Sequence, residues 1–177
     1  STGALDSSAV AYRIAPRINA AGRMGSAERA LKLILTENRA EAKEIAEEIS
    51  ALNAERQATE TQITTSAVEY IESNPEIKNK RVIVVEGEAW HQGVIGIVAS
   101  RLVEKYGKPC IVISKNGDVA KGSGRSIDGF SLYDALSYCS DMLVQYGGHV
   151  LAAGLTVDSN KIEEFREKIN EYAWQMQ

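Results

Sequence analysis

Four short segments combine glycines, hydroxyls, arginines and histidines in patterns that could bind a phosphate. They are residues 17–25, 90–96, 121–126 and 146–154 of the 177-residue chain. Glycine lets the backbone approach a ligand closely, and arginine can donate two parallel hydrogen bonds to a phosphate. The sequence therefore suggests an anion or nucleotide site, although each segment also has an ordinary structural interpretation.

The first two segments place a positive charge or an imidazole beside small residues. Arg17 and Arg23 flank a stretch of small residues that includes Asn19. We expect an irregular loop there, and the alternative to a phosphate site is a surface connector with solvated arginines. His91 follows a predicted buried strand and opens a helix, a position where α/β sheets gather ligands. His91 could donate to a phosphate or position a leaving group, or it could simply fill the turn.

The third segment contains Ser123, Arg125 and Ser126 among glycines. It could form a phosphate cradle, but it lacks the Gly-Lys-Ser/Thr ending of a P-loop. A serine nucleophile would need a base, and no sequence pattern supplies one. The alternative is a glycine-rich hairpin bend. Because Arg125 follows this bend, we expect its side chain to be exposed and unpacked.

The fourth segment places Gly147 and Gly148 directly before His149. We expect a loop that exposes the imidazole and backbone amides, although a lone loop histidine is more often structural. The two histidines, Ser123 and Arg125 are all expected in loops at or near strand ends, where a cleft would form. We therefore expect His91, Ser123, Arg125 and His149 to converge on one face of the sheet.

A metal site within the chain is not indicated. The sequence has two histidines, and it has neither an Asp-His-His nor a Cys-x-x-Cys cluster. Glu86 and Glu88 lie near His91, but two carboxylates on one strand do not make a two-metal site. Cys110 lies in an apolar run and is expected to be a buried hydrophobic residue, so a reducing cytoplasm is the expected compartment. No apolar run is long enough to span a membrane, and no signal-peptide pattern is apparent.

Charge is distributed unevenly along the chain. The net charge is −4, which by itself argues against a nucleic-acid partner. Residues 37–76 carry ten acidic and three basic residues, whereas residues 1–36 carry two acidic and five basic residues. A protein that contacts a few phosphates at a strand end needs local positive charge only, so the net charge does not exclude that function.

Hydrophobic periodicity predicts an α/β fold, with a small mixed sheet flanked by helices and preceded by a long connector helix. Ser26 is expected to cap the first helix. A β-α-β unit of parallel strands and a turn at residues 116–118 are expected within the sheet. The predicted helices are 27–35, 39–72, 93–106, 132–138 and 160–174, and the predicted strands are 81–87, 110–114, 119–123 and 153–157.

Taken in order, the four segments resemble one family. The matching stretches are RIAPRINAAGR (13–23), HQGVIGIVASRL (91–102), GSGRS (122–126), and GGH (147–149) with AAG (152–154). They are similar to the motifs of RecJ-type single-stranded-DNA exonucleases of the DHH phosphoesterase superfamily. The resemblance covers the chain from about residue 9 onward.

The resemblance implies that residues 1–38 are a connector from a DHH domain outside this sequence. Residues 39–76 would be the linking helix, and residues 77–177 the DHH-associated, substrate-binding domain. Two divalent ions, Mn²⁺ or Mg²⁺, are expected in the DHH domain, and no cofactor is expected in this chain. The parent would hydrolyse single-stranded DNA from the 5′ end during recombination and repair, with other repair proteins as candidate partners. The fragment alone is expected to be inactive.

The same resemblance assigns roles to the candidate residues. Arg17 or Arg23, with Asn19 beside them, would hold the terminal phosphate. Ser123, Arg125 and Ser126 would contact the first nucleotide. His149 and the amides of Gly147 and Gly148 would bind a phosphate near the scissile bond, and His91 would act in catalysis.

Two other functions stay open at this point. Related DHH enzymes cleave short oligonucleotides or cyclic dinucleotides and share the Gly-Gly-His segment. The isolated chain could also be a non-catalytic nucleic-acid-binding module. A metal titration separates these classes, because an intact enzyme binds two ions and a bare associated domain binds none.

Overall fold

A computed structural model describes residues 6–25 and 27–176, which form two compact units divided between Thr59 and Glu60. The boundary falls within the longest helix. The helices are α1 (Ser7–Ala9), α2 (Ala15–Met24), α3 (Ala27–Leu35), α4 (Arg39–Ser73), α5 (Pro75–Lys78), α6 (Ile95–Tyr106), α7 (Leu132–Tyr138) and α8 (Ile162–Gln175). The strands are β1 (Ile83–Glu88), β2 (Cys110–Asn116), β3 (Val119–Arg125), β4 (Leu143–Gly148) and β5 (Ala152–Asp158). Val10–Ile14 is π-helical, and Ser140–Met142 and Ser159–Lys161 are 3₁₀ turns.

The arginine segment near the N-terminus is helical, so the prediction of an irregular loop was wrong. Pro16 lies in the first turn of α2, where its missing N–H costs nothing, and alanines with high helix propensity follow. Gly25 ends the helix with φ of 116°, a left-handed conformation that glycine adopts readily. Small residues conceal this helix in the sequence because they give no strong apolar periodicity.

The first unit packs α2 and α3 against the N-terminal half of α4. Its hydrophobic cluster contains the buried residues Ala21, Ala30, Ile45 and Ile49. Arg29 on α3 forms a two-pronged ion pair with Glu48 on α4. The predicted helices at 27–35 and 39–72 are confirmed, but Ser26, the predicted cap of the helix at 27–35, lies outside the described residues.

The second unit is a five-stranded sheet in the order β1-β2-β3-β5-β4. The β1–β2 pair is parallel and connected through α6, as predicted for the β-α-β unit. All other pairs are antiparallel. Gly117 has φ of 71° in the turn that joins β2 to β3, and Ser131 caps α7 by accepting from the Asp134 amide. The predicted mixed α/β sheet after a long helix is therefore confirmed.

Two of the expected loops are strands. Gly147 and Gly148 end β4, a strand that the sequence did not predict, and His149 follows in the turn to β5. Residues 122–125 of the expected glycine-rich bend are the second half of β3, which lies between β2 and β5. Glycine is needed there because the neighbouring side chains leave no room. A Cβ on Gly124 would lie 2.7 Å from Leu132, and one on Gly122 would lie 3.0 Å from Leu155.

The sheet separates two layers of helix. A Cβ on Gly124 would meet Leu132 of α7, whereas the next residue, Arg125, reaches Gly96 of α6. Successive strand residues point to opposite faces, so α6 lies on one face and α7 on the other. The α7 side contains the main core, formed by Val82, Val84, Ile111, Ile113, Ala120, Leu132, Ala135, Leu136, Cys139, Ala153, Leu155, Val157, Ile162, Phe165, Ile169 and Ala173.

Helix α8 covers the outer edge of β1. Asn170 accepts from the Val82 amide at 2.9 Å and donates to the Val82 carbonyl at 3.0 Å. Arg166 donates to the Val84 carbonyl at 3.1 Å. These bonds satisfy polar backbone groups that an edge strand would otherwise leave open.

Both cysteines are buried free thiols. Burial raises the pKa of Cys110 to about 12 and that of Cys139 to about 12, because the thiolate would lose its hydration. The thiols therefore stay protonated at neutral pH, and they serve as small core residues. Among the described residues, no helix has the length and apolarity that a bilayer crossing requires.

Candidate nucleic-acid interface

A groove lies on the α6 face of the sheet, over the strands that α6 leaves uncovered. Helix α6 packs on β2 and β3, so the same face of β5 and β4 is open beside its N-terminus. The groove has a volume of about 480 Å³, within the roughly 300–1,000 Å³ typical of small-ligand sites. We call it the β3–β5–β4 groove. It is lined by Gln92, Ile95, Lys121, Gly122, Ser123, Gln145, Tyr146, Gly147, Gly154, Leu155 and Thr156.

Strand register arranges the groove residues in rows across the sheet. Ser123 pairs with Gly154, and Gly154 pairs with Gly147, which defines the first rung. Lys121 pairs with Thr156, and Thr156 pairs with Gln145, which defines the second rung. Cross-strand partners share a face, so both rungs face the groove. The first rung presents one hydroxyl, on Ser123, beside two residues without side chains.

Arg125 supports the first rung and is not the exposed arginine that the sequence predicted. It is partly buried, and its Nη1 donates to Ser123 Oγ at 3.1 Å and to the Gly124 carbonyl at 2.7 Å. A Cβ on Gly96 would lie 2.8 Å from Nη2, so the guanidinium packs against α6. The error arose because Arg125 was assigned to a bend, whereas it ends a central strand beneath a helix.

His91 lies in the turn between β1 and α6. Its Nδ1 accepts from the Gly93 amide at 3.1 Å, and its carbonyl accepts from the Val94 and Ile95 amides. A neutral imidazole that accepts at Nδ1 carries its proton on Nε2. The turn includes Ala89, whose φ of 51° is left-handed, and Trp90, whose ring covers Gly87. His91 therefore helps to form the turn and has Nε2–H as its available donor.

The predicted Gly-Gly-His loop divides between two places. Gly147 lines the β3–β5–β4 groove. His149 instead lines a separate depression of about 300 Å³ with Ser131, Tyr133, Asp134, Gly148 and Val150. The His149 amide donates to the Ala152 carbonyl at 2.8 Å, so this amide stabilises the turn. The structure thus brings Ser123 and Arg125 together, as expected, but it groups His149 with the N-terminus of α7 and leaves His91 outside the groove. The prediction that all four residues converge was therefore wrong.

Ser126 has a structural role. Its hydroxyl donates to the Phe130 carbonyl at 2.7 Å, and its amide donates to the Leu151 carbonyl at 2.9 Å. Both bonds hold the connection that leads from β3 to α7. Ser126 does not line the groove that contains Ser123.

The three candidates in the first unit lie on α2. Asn19 and Arg23 are four residues apart and share one face of the helix. Arg17 lies on a different face, where Nε donates to Ser50 of α4 at 3.2 Å and Nη1 donates to the Arg13 carbonyl. The helix therefore separates the two arginines that the sequence placed in one loop.

Acidic residues near the turn are neutralised by bases. Lys115 forms ion pairs with Glu88 at 2.8 Å and with Glu86 at 3.7 Å, and the Glu88 hydrogen bond raises the pKa of Lys115. Glu86 also lies 3.9 Å from buried Arg166. Over residues 6–25 and 27–176, no group of three or more His, Cys, Asp or Glu side chains could hold a metal ion. These residues do not fit the divalent ions that the resemblance implies for the parent.

Comparison with known proteins identifies the second unit. The DHHA1 domain family matches residues 79–175, which is more than half of the chain. The chain belongs to the DHHA1 domain family. The match contains all five strands, α6, α7 and α8, and therefore the whole β3–β5–β4 groove of this DHHA1 domain.

RecJ proteins are similar to almost the whole chain, including the part that precedes its DHHA1 domain. The single-stranded-DNA-specific exonuclease RecJ of Bacillus subtilis is 41% identical over 97% of this chain and 22% of its own length. The Escherichia coli protein of that name is 36% identical over 94% of this chain and 30% of its own length. The chain therefore spans less than a third of these curated relatives.

Solved RecJ structures have the same fold. RecJ from Thermus thermophilus in complex with Mg²⁺ matches with a TM-score of 0.85 and 39% identity, over 94% of this chain and 26% of that one. An exonuclease RecJ bound to manganese matches with a TM-score of 0.83 and 38% identity, over 96% of this chain and 42% of that one. The resemblance predicted from the four motifs is therefore confirmed.

Sequence reasoning missed several groove residues. Gln145 and Tyr146 belong to the unpredicted β4, and Thr156 faces the groove only through the register of β5 with its neighbours. Lys121 could have been found, because it lies two residues before Ser123 on one strand and must share its face. Gln92, which directly follows His91, lines the groove, whereas His91 is not among the lining residues.

Proposed function

We propose that this chain is the substrate-binding portion of a 5′–3′ exonuclease that degrades single-stranded DNA in recombination and repair. The observation that carries the proposal is the first rung of the β3–β5–β4 groove, where Ser123 and Arg125 are joined beside two glycines. In the parent, Mn²⁺ or Mg²⁺ would be held by residues outside this chain. The cytoplasm is the compartment that fits two free thiols and a DNA substrate.

Each group in the first rung has a role in binding. The Arg125 guanidinium would donate to phosphate oxygens, and its bond to Ser123 would orient the hydroxyl toward the same ligand. Gly147 and Gly154 would let the sugar-phosphate backbone lie directly on the sheet. These contacts neutralise and position the 5′ end without requiring a positive net charge.

The other candidates keep proposed roles. His91 would donate from Nε2 to a phosphate oxygen or to the leaving group near the scissile bond. Asn19 and Arg23 would contact the strand from one face of α2, and Arg17 is the alternative phosphate ligand on a different face. His149 and Gly148 would act near the depression at α7, where an exposed imidazole can meet a phosphate.

The proposal is tested with the purified chain and fluorescent DNA at stated salt concentrations. We expect binding to 5′-phosphorylated single strands that weakens as salt rises, and no release of nucleotides with Mn²⁺. The described residues contain no group of three or more His, Cys, Asp or Glu side chains that could hold a metal ion. We therefore expect the isolated chain to behave as a non-catalytic binding module.

Three results would contradict this account. A lack of binding at low salt would remove the substrate-binding role. Nucleotide release that the His91→Ala substitution abolishes would show that the chain carries out hydrolysis itself. A metal titration that detects two ions per chain would favour a complete DHH-family phosphodiesterase.

A further inference from the structure

Gly96 lies in the first turn of α6, where this helix faces the first rung of the β3–β5–β4 groove. A Cβ on Gly96 would lie 2.8 Å from Arg125 Nη2, 3.0 Å from Ser123 Oγ and 3.5 Å from Arg125 Cζ. All three atoms belong to the two side chains that the proposed function places on the terminal phosphate. Neither the resemblance nor the proposed function gives Gly96 a role of its own.

The surroundings of Gly96 differ from those of Gly124 and Gly148. A Cβ on Gly124 would lie 2.7 Å from Leu132, and one on Gly148 would lie 2.4 Å from the Ala152 carbonyl oxygen. Those neighbours belong to the core or to the backbone, so the lack of a side chain serves the fold there. The neighbours of Gly96 are the polar ends of two side chains, so the lack of a side chain serves the position of those polar groups.

The Arg125 guanidinium would have to move if position 96 carried a side chain. A separation of 2.8 Å is well below the roughly 3.5 Å at which non-bonded heavy atoms pack best. Helix α6 cannot retreat, because its residues Ile95, Val98 and Leu102 are buried. The guanidinium is the end of a flexible side chain, and it is planar, so a shift of Nη2 also shifts Nη1 away from Ser123.

We propose that Gly96 is a positioning residue for the phosphate contacts of the first rung. Its missing side chain leaves the space in which the Arg125 guanidinium donates to Ser123 Oγ and faces the ligand. This proposal rests on the proposed function, because it takes the first rung as the site of the terminal phosphate. The Gly96→Ala substitution would displace the guanidinium and free the Ser123 hydroxyl, and phosphate binding would weaken in a chain that still folds.

Folding and binding should respond differently to Gly96→Ala in the whole 177-residue chain. Alanine favours a helix more than glycine does, and the displaced atoms are side-chain ends, so the thermal midpoint should fall by no more than about 3 °C or should rise. The dissociation constant for 5′-phosphorylated oligothymidylate should increase roughly three- to tenfold. This is part of the loss expected when the charge-assisted bond of Arg125 is removed altogether.

The Arg125→Ala chain is the matched background, because it has no guanidinium for Gly96 to position. In that background, Gly96→Ala should change the affinity by less than about twofold and should not lower the thermal midpoint. A second readout needs no DNA. In the free chain, Gly96→Ala should shift the NMR signal of the Arg125 Nε–H group, whereas that of Arg101, whose Nε donates to Glu60 at 3.1 Å, should stay in place.

The outcomes distinguish the two proposals. If the original chain does not bind the oligonucleotide at low salt, the proposed function fails, and Gly96 has no phosphate contact to position. If the original chain binds and Gly96→Ala binds equally well, or the Arg125 signal does not move, the positioning role is refuted while the proposed function stands. A loss of the same size in the Arg125→Ala background would also refute it.

The double variant decides the case in which Gly96→Ala alone does not fold. If Gly96 acts by positioning Arg125, the chain with both Gly96→Ala and Arg125→Ala should fold as well as the chain with Arg125→Ala alone. If the double variant also fails to fold, Gly96 is required by the core, and the positioning role is refuted.

Discussion

Replacing Gly148 by alanine should lower the free energy of unfolding of the second unit by about 3 kcal/mol and its thermal midpoint by roughly 10 °C. Gly148 has φ of 145°, a conformation that L side chains rarely adopt. A Cβ there would lie 2.4 Å from the Ala152 carbonyl oxygen and 2.5 Å from the Ala153 Cα. Both atoms belong to β5, which is hydrogen-bonded on both sides and cannot move away without breaking the sheet.

The adjacent glycine provides the matched control. No atom lies within 4 Å of a Cβ built on Gly147, and its φ is not in the left-handed region. Gly147→Ala should therefore change stability by less than about 0.5 kcal/mol. Thermal or denaturant unfolding of the two variants measures the difference. Equal melting temperatures would mean that the turn after β4 is not constrained as described.

Replacing Arg125 by alanine should weaken single-strand binding roughly ten- to hundredfold, the cost of a lost charge-assisted bond to phosphate. It should also cost about 1 kcal/mol of stability, because the side chain is partly buried and donates to Ser123 and to the Gly124 carbonyl. The loss of affinity should exceed the loss of stability.

Arg125→Lys separates charge from geometry. Lysine keeps the positive charge but lacks the planar fork of donors, so we expect intermediate affinity and reduced order at Ser123. Thermal midpoint and affinity are measured on the same preparation at one salt concentration. If the alanine variant melts far lower while its folded fraction binds normally, Arg125 is a structural residue only, and the phosphate role of the first rung must be abandoned.

The elements that the sequence predicted well are those with strong local patterns. The β-branched runs at β1 and β2 indicated buried strands, and the apolar stripe that includes Ile45 and Ile49 indicated the long helix. The loops were harder to predict because glycine and alanine give little periodicity. Whether Gly122 and Gly124 form a bend or a strand depends on packing against Leu155 of β5 and Leu132 of α7, which belong to other elements of the fold.

The same limit applied to the candidate site. Alternation along one strand was enough to place Ser123 and Arg125 on a common side. The β4 side of the groove depends on the pairing of β4 with β5, which contains an irregularity between Leu143 and Gln145. Such a bulge shifts every later residue by one face, so periodicity within β4 alone could not have assigned Gln145 to the groove.

The binding of single-stranded DNA by a Gly154→Val variant tests most directly whether the β3–β5–β4 groove is the substrate surface. Gly154 lies between Ser123 and Gly147, is exposed, and has only the Gly122 carbonyl oxygen within 4 Å of a built Cβ, at 3.8 Å. Valine suits a strand, so the fold and thermal midpoint should be kept. The added side chain fills the groove without removing any polar group.

We expect Gly154→Val to melt at or above the temperature of the original chain and to bind 5′-phosphorylated single strands at least about tenfold more weakly, a loss of about 1.4 kcal/mol. The midpoint controls for folding, and the affinity reports on access to the first rung. Unchanged affinity in a folded Gly154→Val variant would show that the strand binds elsewhere and would contradict the assignment of this groove.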